Sequence, residues 1–340
     1  MSYASTVLQD ARTEIQTNKT FELRPTMSMV TNAALAYRDQ AIRDLAKIKK
    51  ATTQTTTVLY SSKTDYTVTS DAKSCTPTGT EGGTSSVDLT WVRRKVHPYV
   101  EYKVHAGNEQ DMQSAFTNSL YNAEASLFFG TGGIDAYIIA WLEANKSSVN
   151  AGTLGTFDTY ADDTMTIANA NRNIFYDIVQ TEMQENNYNL KFQDIYNTAW
   201  NQTKNYYVNQ GAGNSVNTAY QFNGFDFHPS NNVNASTTTY YTNGVHYIIP
   251  AGGIALVDWC ENDATNITGK IVGSQEWGSM DSLFFPNIRL DYFKYETCVD
   301  STARGGSAQD VRMTYEITAN IAMAKQPTPT GTPIFKYGIV

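Results

Sequence analysis

The histidines and cysteines are the residues whose spacing could reveal a metal or redox site. The chain has four histidines and three cysteines, and no two histidines stand four residues apart, as on a metal-binding helix. His97 and His105 would lie about 26 Å apart on an extended chain at ~3.3 Å per residue, too far to share one metal ion. Cys75, Cys260 and Cys298 form no Cys-x-x-Cys pair, so a cysteine-based zinc site is not supported.

A glycine-containing stretch at 210–230 could hold a phosphate or form a turn between strands. It reads QGAGNSVNTAYQFNGFDFHPS and has the spacing Gly-x-Gly. It lacks the later glycine of a dinucleotide-binding loop and the Gly-Lys-Ser/Thr of a P-loop, and strand-forming residues follow where a helix would be needed. The sequence therefore favours a hairpin without a ligand.

Two groups of carboxylates could be catalytic or structural. Asp162 and Asp163 are adjacent, whereas the carboxylates of a glycoside hydrolase flank the bond that is cut; their position before a helical pattern favours a helix cap. Asp258, Glu261 and Asp263 could bind calcium or a sugar, but a solvated turn is the simpler interpretation. No Gly-x-Ser-x-Gly nucleophile motif occurs. We expect no catalytic residue, metal site or cofactor, and hence no enzyme.

Composition excludes several classes of protein. Hydrophobic residues make up 41% and aromatic residues 12% of the 340 residues, which is typical of a folded chain. The formal net charge of -8 disfavours a dedicated nucleic-acid binder, which needs a surplus of Lys and Arg. The N-terminus lacks the apolar stretch of a secretory signal, and no apolar run approaches the roughly 20 residues that span a bilayer. We expect a protein that is assembled in the cytoplasm and does not contact a membrane.

The N-terminal part is predicted to be an extended segment followed by a helix. Residues 1–30 have no sustained period and are interpreted as an extended arm. Apolar residues at helical spacing predict a helix over 31–50. Its basic end, which could face DNA, consists of Arg43, Lys47, Lys49 and Lys50.

A long β ribbon is predicted over 51–106. Its return half, 87–105, is interpreted as one strand of roughly 60 Å at ~3.3 Å per residue. That length exceeds what an ordinary domain needs, so we expect the ribbon to project and lie on another subunit. Arg93, Arg94 and Lys95 are candidate contacts between subunits, although exposed charges on an edge strand can also serve only to prevent aggregation.

Three further helices and a series of strands are predicted after the ribbon. The helices cover 109–129, ended by Gly130, then 134–145, and a third from Asp162 and Asp163 to 186. Strands are predicted over 189–197, 205–210, 236–250 with a turn at Asn243-Gly244, 252–259 and 311–323. The Pro-rich tail is expected to lie over a surface.

This order of parts resembles the HK97-type major capsid proteins of tailed bacteriophages. The resemblance covers nearly the whole chain and includes the segments GVHYIIPAGGIALVDWC, SLFFPNIRLDYFKYETC and DVRMTYEITANIAMA. It implies an α+β fold of HK97 type. The parts would be an N-terminal arm (1–50), an extended loop (51–106), a spine helix with peripheral-domain residues (107–160), an axial domain (161–279), peripheral-domain strands (280–326) and a C-terminal tail (327–340).

The resemblance also implies a function. The chain would form hexamers and pentamers of an icosahedral shell that encloses double-stranded DNA in a virion. Its partners would be other copies of itself, a portal protein, scaffold or decoration proteins, and the packaged DNA through weak contacts. Some relatives cross-link neighbours through Lys and Asn. No motif marks a lysine of the ribbon as reactive, so we expect non-covalent assembly; these lysines are Lys63, Lys73, Lys95 and Lys103.

Two other functions remain open from the sequence. An encapsulin-like compartment would share the fold but package a protein cargo. A β-rich carbohydrate-active enzyme or binding module would use Tyr and Trp side chains among Asn and Thr, but it does not account for a long projecting ribbon.

Overall fold

The structure is a computed structural model of the chain. It describes residues 3–17, 29–36, 55–61, 68, 84–101, 109–147, 158–159, 163–185, 188, 191–197, 221–222, 224–233, 244–260, 270–272, 275–300, 309–325 and 332–340. All structural statements concern these residues.

Five α-helices lie in the described residues. They are α1 (Tyr3–Thr17), α2 (Met29–Ala36), α3 (Glu109–Phe129), α4 (Ile134–Ala144) and α5 (Phe175–Glu185). The two helices predicted over 109–129 and 134–145 are confirmed. The turn between them needs glycine, because Gly132 has a φ of 76° and a Cβ at Gly133 would lie 2.9 Å from three carbonyl oxygens.

The first sheet is built around one long strand. Its strands are β3 (Val92–Val96), β4 (Tyr99–Glu101), β11 (Ile254–Trp259), β12 (Lys270–Val272), β13 (Gln275–Asp281), β14 (Arg289–Asp300) and β15 (Gln309–Lys325). The order is β11-β15-β14-β13-β12, and β3 and β4 also pair with β15. Ile317 of β15 pairs with Tyr292 and with Val96, so β14 and β3 flank the long strand on opposite edges. The predicted strand over 311–323 is thus confirmed as the centre of this sheet.

The second sheet contains the C-terminal strand. Its strands are β5 (Asp158–Thr159), β6 (Thr164–Ile167), β7 (Phe192–Tyr196), β8 (Gln221–Phe222), β9 (Phe225–Pro229), β10 (Gly244–Pro250) and β16 (Phe335–Ile339). They lie in the order β5-β6-β16-β10-β7-β9-β8. Two neighbouring pairs are parallel, β16 with β6 and β7 with β9. The helices and these largely antiparallel sheets confirm the α+β class.

Two large hydrophobic cores lie in the described residues, and the first also includes Ile195, Tyr247 and Ile249 of the second sheet. Apolar side chains of α1 to α4 pack on one face of the first sheet, among them Phe116, Leu120 and Ile138, against Tyr315 and Ile317. The second core is built around α5 and is rich in Phe and Tyr. Its most buried aromatic residues are Phe175, Tyr176, Phe192, Tyr196, Phe225 and Tyr337.

One prediction about the N-terminal region is wrong. Residues 3–17 form helix α1 and not part of an extended arm, because Leu8, Ala11 and Ile15 recur on one helical face and are buried in the first core. The helix predicted over 31–50 is confirmed in its described part, α2, which begins at Met29 and is described as far as Ala36. Its basic end, Arg43, Lys47, Lys49 and Lys50, lies outside the described residues.

Two predictions about the C-terminal half are wrong. Thr164–Ile167 is a strand, so α5 begins at Phe175 after a 3₁₀ turn and not at Asp162 or Asp163. The described part of the tail, 332–340, does not lie over a surface, because β16 is buried between β6 and β10. The chain passes from the second sheet to the first through the turn at 251–253, between β10 and β11, and the division into domains stays a prediction.

One segment has the length and composition of a membrane-spanning helix, contrary to the sequence expectation. It is Met112–Ala144, which contains α3, the glycine turn and α4. Several of its apolar side chains, including Phe116, Leu120, Leu142 and Phe128, are buried in the first core. These side chains therefore contribute to the core of the protein.

Candidate assembly surface

A two-stranded ribbon stands apart from both sheets. Strand β1 (Thr55–Ser61) pairs antiparallel with β2 (Thr84–Thr90), from Thr55 opposite Thr90 to Ser61 opposite Thr84. Within the described part of the chain, β1 pairs with β2 alone. Seven residues span about 23 Å at ~3.3 Å per residue. Val68, in the segment that joins the strands, is 94% exposed.

The ribbon is held to the body at one end. Leu89 and Trp91 are buried in a small cluster with alanine and valine side chains of β11 and β15. The Trp91 ring lies 6.4 Å from the Trp259 ring. This cluster, which we call the ribbon base, consists of Leu89, Trp91, Ala255, Val257, Trp259, Ala322 and Ala324.

The single strand predicted over 87–105 is divided in two places. Trp91 separates β2 from β3, and His97 with Pro98 separate β3 from β4. Because β3 and β4 pair with β15, this part of the chain belongs to the body and not to the projecting ribbon. The prediction of one continuous 60 Å strand is therefore wrong.

The three basic candidates lie on β3 and contact the same chain. Arg93 Nε donates to Asn320 Oδ1 at 3.0 Å, and Lys95 Nζ lies 3.2 Å from Glu316 Oε2. The guanidinium of Arg94 lies 5.5 Å from the ring centre of Tyr137. The prediction that these residues lie on the projecting ribbon is therefore wrong. Their role in contacts between subunits stays a prediction.

A row of charges continues along this edge of the first sheet. Glu316 accepts from both Lys95 and His97, the latter at 2.9 Å. Partial burial alone would raise the pKa of Glu316, but these two hydrogen bonds and the accompanying positive charges lower it. Further along, Arg312 Nε donates to Glu101 Oε1 at 2.9 Å, and its guanidinium lies 4.4 Å from the Tyr99 ring centre.

Aromatic side chains cross the same outer face of the sheet. Trp277 and Phe293 are cross-strand partners with stacked rings 5.0 Å apart, and Phe293 stacks on Tyr295 at 5.4 Å. Each ring is half-buried. The three rings thus pack on one another across neighbouring strands.

The other chemical candidates do not converge on one site. Asp163 has a φ of 59° in the turn before β6, and Asp258 Oδ2 accepts from the Arg289 amide at 3.1 Å. The described residues contain no group of three or more potential metal ligands. Several candidates lie outside the described residues: Cys75, His105, Asp162, Glu261, Asp263 and 210–220.

Sequence reasoning missed a buried polar cluster in the second core. Asp194 accepts from Tyr176 Oη at 2.7 Å and lies 2.9 Å from His246 Nδ1. The arrangement has the residue types of a catalytic relay, but the side chains of Asp194 and His246 are fully buried, so no substrate reaches them. Strand alternation can predict that Asp194 and His246 point inward. Their contact with each other depends on the registry of β7 with β10, which the sequence does not show.

Comparison with known proteins finds similarity only among solved structures. No family model matches the chain, and no curated protein sequence matches it. A Mycobacterium phage Adephagia chain is 12% identical over 97% of each chain, with a TM-score of 0.44. The capsid of cyanophage P-SCSP1u is 11% identical over 86% of this chain and 85% of that one, with a TM-score of 0.39. The capsid of an empty GTA particle is 9% identical over 95% and 97%, with a TM-score of 0.41.

Proposed function

We propose that this chain is a major capsid protein, the repeated subunit of an icosahedral shell. The observation that carries the proposal is the β1–β2 ribbon, which is anchored at its base and pairs with no other described strand. An isolated two-stranded ribbon is marginally stable in water. A ribbon of this kind gains stability when it lies on a neighbouring subunit.

The body supplies the rigid part that such a subunit needs. Helix α3, of 21 residues and about 31 Å at 1.5 Å per residue, packs against the sheet centred on β15. The ribbon base attaches to that same sheet. This order of ribbon, long helix and paired sheets supports the resemblance to HK97-type proteins drawn from the sequence.

The finer parts of the proposal follow from that resemblance. The subunits form hexamers and pentamers, and the shell encloses double-stranded DNA in a virion assembled in the host cytoplasm. A net charge of -8 keeps DNA contacts weak and local, because strong binding needs many cations at phosphates. The candidate residues for these DNA contacts are Arg43, Lys47, Lys49 and Lys50. A portal protein and scaffold or decoration proteins complete the set of expected partners.

Shortening the ribbon tests the proposal. Thr57 lies opposite Asp88, so replacing residues 58–87 by Asn-Gly joins the strands through a two-residue turn and keeps Leu89 and Trp91 in place. We expect the intact chain to form closed shells or rings by light scattering and negative-stain electron microscopy. The shortened chain should stay folded and fail to assemble.

The control is a body substitution outside the ribbon and its base. Glu185→Gln changes an exposed side chain of α5 and should leave assembly unchanged. Intact shells from the shortened chain would overturn the ribbon's role. Particles that contain a protein cargo and no DNA would favour an encapsulin-like compartment, and a monomer stabilised by glycans would favour the carbohydrate-binding alternative.

A further inference from the structure

Two packed helices carry buried polar atoms that have no hydrogen-bond partner. Glu124 lies in α3, and its Oε1 accepts from Ser282 Oγ at 2.6 Å and from the Leu283 amide at 2.5 Å. Its other oxygen, Oε2, is buried without a partner among the described residues. Arg12 lies in α1, and its Nη1 is buried without a partner in the same described part of the chain.

Arg12 and Glu124 belong to one helix–helix interface. Helix α1 packs on α3 through Leu8, Ala11 and Ile15, and Thr117 Oγ1 of α3 donates to Glu14 Oε2 of α1 at 2.8 Å. The positive charge of Arg12 acts on Glu124. An orphaned buried donor and an orphaned buried acceptor of opposite charge are each costly, and a bond between them removes both costs.

The surroundings of Glu124 make its charge depend on pH. Burial raises the pKa of Glu124 to about 7, and the opposing effects come from Ser282, the amides of Leu283 and Phe284, and Arg12. The turn at 282–285 thus contributes a hydroxyl and amides but no charge. Among the described residues, Arg12 is the charged side chain that acts on this carboxyl group.

We propose that ionisation of Glu124 draws the Arg12 guanidinium onto its free oxygen and thereby fastens α1 to α3. We call this contact the Arg12–Glu124 clasp. When Glu124 is protonated, the clasp is open and α1 is held by apolar packing and the Glu14–Thr117 bond. When Glu124 is ionised, a bond between two charged groups adds to that packing. The clasp does not depend on the proposed function.

Hydrogen exchange of the full chain tests the clasp. Amide protection in α1 is measured at pH 5.5 and pH 8, corrected for intrinsic exchange rates, and compared with protection in α4. Burial raises the pKa of Glu124 above its ordinary 4.5, so ionisation of Glu124 lowers the stability of the fold as pH rises, and the clasp offsets part of that loss in α1. In the unsubstituted protein we therefore expect α1 protection to fall with pH about tenfold less than in Arg12→Met. In Glu124→Gln the protection of α1 should not depend on pH.

Glu14→Gln is the matched control, because Glu14 lies in the same helix and bonds the same partner helix. It should lower α1 protection equally at both pH values and leave the pH dependence as it is in the unsubstituted protein. A second measurement follows the Glu124 carboxyl band by infrared spectroscopy, and Arg12→Met should move its titration midpoint to higher pH. An α1 protection that falls with pH as steeply in the unsubstituted protein as in Arg12→Met, or an unmoved midpoint in Arg12→Met, would overturn the proposal.

Discussion

Strands β2 and β3 are consecutive in the chain but belong to different parts of the molecule. β2 pairs with β1 in the ribbon, whereas β3 pairs with β15 in the body. Side chains alternate through the break, so Val92, Val96 and Val100 face residues of the α3-covered core side, while Leu89 and Trp91 face the opposite side. The difference shows that strand pairing, and not local sequence, decides whether an extended segment stabilises the body or is left to contact a neighbour.

The comparison predicts that body substitutions lower stability, whereas ribbon substitutions affect assembly. The largest loss is expected for Phe116→Ala in α3. Phe116 is buried and its ring lies 4.9 Å from that of Tyr315, so the cavity should lower the free energy of unfolding by about 3–5 kcal/mol. Urea denaturation measures this value. The exposed Val311→Ala is the control, and an equal loss in both variants would contradict the prediction.

Trp91→Ala tests the junction between ribbon and body. Its side chain is 8% exposed in the ribbon base, so we expect a loss of about 3 kcal/mol in the free energy of unfolding. Limited proteolysis should also cut the ribbon faster than in the unsubstituted chain. Trp91→Phe keeps most of the apolar contact, so its stability and its rate of ribbon cleavage should lie between those of the unsubstituted chain and Trp91→Ala. An unchanged rate of ribbon cleavage in Trp91→Ala would show that the ribbon is not held by this cluster.

A change in pH should act on the body. Burial, and then the charge of nearby Glu185, raises the pKa of Glu182 in α5 from its ordinary 4.5 to about 7. The folded state then binds the proton more tightly than the unfolded state, so stability is full below about pH 4.5 and falls as pH rises to about 7. We expect the contribution to be on the order of 2 kcal/mol, at about 1.4 kcal/mol per pKa unit with allowance for solvent.

Glu182→Gln should remove that part of the pH dependence. Denaturation curves at pH 5 and pH 8 measure the change in the free energy of unfolding between the two pH values. The exposed Glu185→Gln serves as the control and should reduce this change only slightly. A slope that is the same in Glu182→Gln as in the unsubstituted chain would assign the pH dependence to other groups.

The smallest effect is expected for Lys95→Met on β3. The Lys95 side chain is half exposed, and exposed ion pairs contribute about 0–1 kcal/mol because water and salt screen them. The loss in the free energy of unfolding should be below about 1 kcal/mol and should vanish in 1 M salt, in which the Debye length is about 3 Å. A larger loss that survives high salt would show that the Lys95 side chain stabilises β3 by packing and not by its ion pair with Glu316.

Long periodic segments were predictable from the sequence. Helix α3 was placed at its observed bounds because an apolar stripe runs unbroken to a glycine stop, and β15 was found because its alternation covers more than ten residues. Both patterns depend only on residues close in the chain. The inward parity of Val92, Val96 and Val100 was correct for the same reason.

Short or interrupted segments could not be placed in this way. Over residues 8–17 of helix α1, where burial is described, the buried stripe consists of Leu8, Ala11 and Ile15, too few to stand out among polar residues. The four-residue strand β6 was mistaken for the start of a helix. For the candidate assembly surface, the sequence predicted the ribbon but not its base. The base could not be predicted because the residues that contact Leu89 and Trp91 lie in β11 and β15, far away in the chain.

Local patterns in the amino-acid sequence were enough to predict the α+β class, the two helices after the ribbon, the long strand β15 and the presence of a β ribbon. Contacts between distant residues set where the ribbon ends, place the C-terminal residues in the middle of the second sheet, and pack α1 on α3. The physical reason is that periodicity reports only which face of a segment is buried. The partner of that face is set by pairing and packing between residues distant in the chain, as in β16 with β6 and β10.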